Sequence, residues 1–261
     1  MAVLPASAEP IGAAAAPDIW RLRTVALVGA LAALVLCVVP PVFTYAHRYE
    51  FVEAIQFDLA AFAVPALLVV SAPIRLVGGA LGARLREWAL RLNGRRRRHP
   101  SPWRALGFAA ADVVVFVAWR TPGLMNALER HRGLLAVEVV SLVAAGLPLW
   151  VELVRSPPLE PRVAHPWRAV VAVLTMWSVW ITAYAVGLSG VSWYVAFHHV
   201  AGGLGTSADQ ELSTGALWFG AAVSFVPVVF IQLLAWLRNG DDPDAELRAI
   251  LRTERWFGKP D

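Results

Sequence analysis

The sequence predicts an all-α integral membrane protein, a bundle of about six transmembrane helices with both termini on the cytoplasmic side. Composition is the first reason. Hydrophobic residues make up 58% of the 261 positions and charged residues 16%, against about 25% charged in an ordinary soluble domain, and the mean hydropathy is +0.57. Periodic oily runs are the second. Stretches of roughly 20 apolar residues, enough to cross about 30 Å of hydrocarbon, recur at 24–45, 56–78, 103–119, 133–154, 167–189 and 213–237. Lipid offers no partner for a free backbone N–H or C=O, so each run must be helical. Charge asymmetry is the third. Counting span-end residues with their nearer side, all of the 23 Lys and Arg except Arg48, Arg120, Arg130 and Arg132 go with one set of loops, the N-terminus, 79–102, 155–166 and the C-terminal tail. Basic residues stay cytoplasmic, which sets the orientation as N-in and C-in.

Taken in order, residues 1–22 are rich in Ala and Pro and lack the basic start and apolar centre of a secretory signal. A flexible cytoplasmic tail is expected there, then the transmembrane domain over 23–238 and an amphipathic cytoplasmic tail over 239–261. Span one carries Cys37, the single cysteine, which excludes an internal disulfide and any CxxC motif. Between spans two and three, Leu81, Leu85, Trp88 and Leu92 fall on one helical stripe, the spacing of a helix lying in the inner interface. The following "GRRRRHP", 94–100, is a topology anchor on anionic headgroups rather than a nucleic-acid site. In span five, Trp177, Trp180 and Tyr184 share a side, as packing or an interfacial belt. The outer 190–212 loop holds adjacent His198 and His199, whose side chains diverge and rarely grip one metal together; an ordinary wet loop is expected, with one of them joining His47, Met125 or His131 at a metal as the alternative. In the tail, Asp242 is an N-cap, Pro243 the first helical position, and Leu247, Ile250 and Leu251 an apolar side.

The acids near the outer ends of the spans are the candidate site. "EFVEAIQFDL", 50–59, opens span two with three of them. Glu50 is expected in water, Glu53 at the boundary and Asp58 more than a turn deeper. Glu138 lies just over a turn into span four, and Asp112 near the middle of span three. An ionisable group at such depth costs about 2.5–3.5 kcal/mol and faces protein or a wet cavity. The candidate partners for Glu53 and Glu138 are each other, His47, Arg48 and Arg120.

The stretch "VVPPVFTYAHRYEFVEAIQFDLAAFAVPALLVVSAPIRL" resembles the CtaG family of cytochrome c oxidase assembly membrane proteins. Pro41, Tyr45, Ala46 and His47 are in step with the family's motif, followed by Gln56, Pro65 and Pro73. "RTPGLMNALERHRGLLAVEVVSLVAAGLPLW" and "ADQELSTGALW" are similar to two further family segments, the last through Asp209, Gln210, Leu212 and Trp218. The likeness covers roughly 30–240. Where relatives carry a first His-x-x-x-His, this chain has Glu53 and Phe57. Where they carry a second, it has Leu135 and Val139, with Glu138 kept between them. The family's first helix is also expected to be missing.

What the resemblance implies is assembly or stabilisation of a copper-containing cytochrome c oxidase, with copper as the candidate metal and His47, Glu53 and Glu138 as a degenerate outer-face site. Pro41, Tyr45, Gln56, Asp209, Gln210 and Trp218 are implied as structural residues of the motifs. A permanent accessory subunit of a respiratory complex is the alternative, and a small-solute or copper transporter the third. The expected partners are oxidase or other respiratory subunits and membrane lipids, not nucleic acid, in a bacterial cytoplasmic membrane. No Ser/His/Asp set, HExxH or Walker loop is present, so no enzyme is expected.

Overall fold

Among the described residues, six helices are long and apolar enough to cross a membrane: Ile19–Val38, Glu50–Ser71, Pro102–Trp119, Leu134–Leu153, His165–Gly187 and Thr206–Arg238. A computed structural model describes residues 16–97, 101–131, 133–189, 191–197 and 204–238. Among these no β-strand forms. The expected membrane bundle is therefore the fold, with boundaries that shift for local reasons.

Helix α1 (Ala16–Val38) starts ahead of the expected span and stops where Pro40 and Pro41 remove two backbone donors. A short α2 (Val42–Ala46) follows. The second span begins at Glu50, not 56, and has three parts: α3 (Glu50–Asp58), a wide π-turn over Leu59–Ala63, and α4 (Val64–Ser71). The wide turn lies beside Pro65, which cannot donate to the carbonyl of Ala61, and a local change of winding absorbs that defect. Ala72 adopts a left-handed conformation (φ 47°) ahead of Pro73 and ends the span. A turn α5 (Pro73–Leu76) leads to α6 (Gly79–Arg97). The chain continues through α7 (Pro102–Trp119), α8 (Pro122–Arg130), α9 (Leu134–Leu153) and α10 (His165–Gly187). A 3-10 turn at Val195–Phe197 precedes α11 (Thr206–Arg238).

The second span is the centre of the bundle. It packs against α1, α9 and α11, while α7 rests on α9 and α10, and α10 lies along α11. Correspondingly, 61% of its core window is buried, against 22–44% in the other spans. An aromatic column runs through the interior: Phe57 and Phe62 pack on Phe116 at 5.0 and 5.7 Å between ring centres, Phe62 on Phe225 at 5.5 Å, and Phe225 on Trp150 at 5.2 Å. Such packing, not hydrophobic expulsion, holds helices together in lipid. Close approach helps. A Cβ on Gly146 of α9 would come within 2.9 Å of Pro65 Cγ.

Helix α6 packs on the bundle through the side away from the stripe read in the sequence. Gly82, Ala89 and Asn93 face inward, and Asn93 donates to the carbonyl of Pro158 at 3.2 Å. Leu81 and Trp88 are exposed and available to hydrocarbon. The expectations for His198, His199 and the tail 239–261 lie outside the described residues, as does most of the N-terminal tail.

Candidate functional site

At the predicted outer end, α3, the ends of α7 and α10, α8, α9 and the start of α11 enclose a set of buried polar side chains. Its geometry starts with the helix that was expected later. The first N–H groups of α3 have no partner within the helix. Asp209 supplies one: its carboxylate accepts from the N–H of Glu50 at 2.7 Å and of Phe51 at 3.0 Å. A negative group at a positive helix end is doubly favourable. This tertiary cap lets the helix start at Glu50.

Glu50, expected in water, is instead 1% exposed. The reason is the same cap: it draws the start of α3 against α11, where Ser213 hydrogen-bonds to the Glu50 carboxyl. Glu53, one turn on, is buried and faces Arg120, the residue that closes α7. Arg120 Nη1 donates to Glu53 Oε2 at 2.5 Å, with both side chains almost fully enclosed. The Arg120 guanidinium also lies over Phe57, its Cζ 4.5 Å from the ring centre. Burial disfavours the charged guanidinium, but Glu53, Tyr194 and Glu50 together outweigh it and hold Arg120 above its ordinary pKa. Tyr194 donates from its hydroxyl to the Arg120 carbonyl at 2.9 Å. Its phenol is pushed up to about 12 by burial, Arg120 opposing the shift.

His47 stands apart from this pair, its Nδ1 3.1 Å from both carboxylate oxygens of Glu129 on α8. Glu138 is buried on α9, and Glu53, Arg120 and Glu129 are the charges that bear on it. Asp58 is buried against Gly220 of α11, so closely that a Cβ at Gly220 would overlap its carboxylate. Asp112 is buried in α7. Among the described residues, no group of three or more His, Cys, Asp or Glu side chains comes together to hold a metal ion.

The motif residues have structural partners. Gln56 and Cys37 tie α3 to α1, the Gln56 amide donating to the Cys37 carbonyl and the thiol reaching the Gln56 carbonyl at 3.5 Å. Gln210 clamps the end of α10: its amide donates to the carbonyls of Val186 (2.7 Å) and Val191 (3.2 Å), and its oxygen accepts from the N–H of Trp193 at 3.3 Å. Trp218 stacks on Trp180 at 4.7 Å and accepts its indole N–H at 3.0 Å. Pro41 precedes α2, and Tyr45 is half exposed and stacks on Tyr49.

The first motif segment meets the second through Glu53 and Arg120, and the third through the Asp209 cap on α3. The profile of the cytochrome c oxidase caa3 assembly factors (Caa3_CtaG) matches residues 5–239. The chain belongs to that family. The match extends the resemblance, read from about 30, to nearly the whole chain. No curated protein and no solved structure matches it.

The family's role as an assembly factor implies contact with oxidase components. Copper favours imidazole and thiolate donors, and the cluster of this member is poor in them. His47 is engaged with Glu129, Cys37 with Gln56, and Arg120 places a positive charge on Glu53. Sequence reading named Glu53 and Glu138 and included Arg120 among their candidate partners. It missed Tyr194, Ser213 and the burial of Glu50, because their signal is a meeting of distant segments rather than a local pattern.

Proposed function

We propose that this family member assists assembly or stability of a copper-containing cytochrome c oxidase as a scaffold in the bacterial cytoplasmic membrane, without itself delivering metal and without catalysis. One observation carries this reading: a protein cation, Arg120, is held by Glu53 and Phe57. In the family resemblance, those two positions belong to histidines. An ion pair plus a cation–π contact makes the outer end a fixed electrostatic joint between α3 and α7. A rigid joint suits a docking platform, whereas a delivery site needs exchangeable ligands.

A second reading keeps His47, Glu53 and Glu138 as a residual metal site. It draws on His47 Nε2 and Glu138 Oε1, which are buried and have no hydrogen-bond partner among the described residues. Gentle detergent extraction, with mass spectrometry of co-purifying chains and metal analysis of the same sample, separates the two. The scaffold predicts co-purifying oxidase subunits and, once these are separated from the chain, far less than one copper per chain. One tightly held copper per chain, with no oxidase subunit, overturns it.

A further inference from the structure

A second polar cluster lies at the opposite end of the bundle, where α9 ends, α10 begins and α11 finishes. A cavity of about 400 Å³ opens there, lined by Arg155, His165, Arg168 and Gln232, with Val228 and Ile231 on its apolar wall. Its polar side is built rather than incidental. Arg168 is buried, and its Nε donates to the carbonyl of Val163 at 2.6 Å, which fixes the guanidinium at the cavity. Gln232 accepts from His165 Nδ1 at 2.7 Å and donates to the carbonyl of Leu153 at 2.9 Å. That bridge locks α10, α9 and α11 around the opening.

The charge there is unbalanced. Arg155 and Arg168 are close enough to repel one another, and Glu152 is the acid that bears on Arg168. Among the described residues, the cavity lining carries two arginines and no carboxylate. The start of α10 at His165 adds the positive end of a 23-residue helix. On the other side, Ile231 is 61% exposed and faces hydrocarbon. The lopsided distribution of Lys and Arg assigns this end to the cytoplasmic side. Basic pockets between helices on that side suit anionic headgroups.

We propose that this cavity is a binding site for a phosphate group, gripped by Arg155 and Arg168, and supplied by the headgroup of an anionic phospholipid or by free phosphate. Arginine is suited to the task because its planar fork meets phosphate with two parallel hydrogen bonds. The apolar wall beside the cations gives an acyl chain a continuous path from the headgroup into the bilayer.

The test uses the full chain in detergent, stripped of lipid, with the thermal unfolding midpoint as readout. Phosphatidylglycerol, phosphatidylcholine and inorganic phosphate are titrated separately. Phosphatidylglycerol should raise the midpoint and phosphatidylcholine should not. Protection by inorganic phosphate as well would identify free phosphate as a sufficient source. Either Arg155→Gln or Arg168→Gln should weaken the effect about tenfold, the loss of one charged hydrogen bond. Arg155 is exposed, so its variant keeps the test open should Arg168→Gln not fold. Arg91→Gln, on the exposed face of α6, should behave as wild type. The proposal is overturned if neither phosphatidylglycerol nor phosphate shifts the midpoint, or if Arg155→Gln responds as wild type does.

Discussion

The guanidinium carbon of Arg120 lies 4.5 Å from the ring centre of Phe57, at the end of a helix that meets the bundle's central span. The same guanidinium reaches Glu53, one turn above Phe57 on α3. Residues at i and i+4 lie on one face of a helix, and here that face holds a cation carried by the neighbouring helix. Truncating Phe57 to Leu removes the ring and costs about 0.5–2 kcal/mol.

Removing Glu53 should do more. Glu53→Gln leaves Arg120 charged and buried without its counter-ion, a loss of about 3–5 kcal/mol. The expected outcome is lower yield and earlier unfolding in detergent. The double variant Glu53→Leu with Arg120→Met should recover most of that loss, because the buried guanidinium and its counter-ion leave together. A Glu53→Gln protein that inserts, unfolds and supports its oxidase like wild type would sink the electrostatic joint.

Asp209 caps α3 across 158–159 residues of sequence. Asp209→Ala should cost about 1–2 kcal/mol. Amide exchange should quicken at Glu50 and Phe51 in particular, while the α9 core keeps its protection. Uniform loss of protection would point to a general packing defect instead.

Gly220 faces the Asp58 carboxylate with no room for a methyl group. Gly220→Ala should destabilise by about 1–3 kcal/mol through overpacking. Combining it with Asp58→Ala, which vacates the space, should recover much of that cost in the same unfolding assay. Absence of any coupling in this double-mutant cycle would mean the two helices part to accommodate the methyl.

Tyr194 offers a pH signature. Its folded pKa of about 12 lies above the ordinary tyrosine value of 10.0, so between those values the folded state holds a proton that the unfolded state has lost. The corresponding stability is fully present below pH 10 and is lost as pH rises through 12. Tyrosine absorbance should show a late step near pH 12, and Tyr194→Phe should abolish it.

Composition and the spacing of apolar runs were enough to determine the bundle, because a bilayer admits only segments that satisfy their own backbone. Charge bias along the chain assigned an orientation by the same kind of local count. Glu53 and Glu138 were legible as candidates since a carboxylate is expensive in an oily run wherever it points. What each one meets was legible only as a set of candidates, with Arg120 among them. Glu50 read as a wetted acid. Arg120 and Glu50 are both buried because Asp209, far along the chain, draws α3 against α11 and the end of α7 closes over the gap. Hydropathy is a property of one segment, whereas counter-ions and caps are properties of pairs. Only the packed helices could decide those.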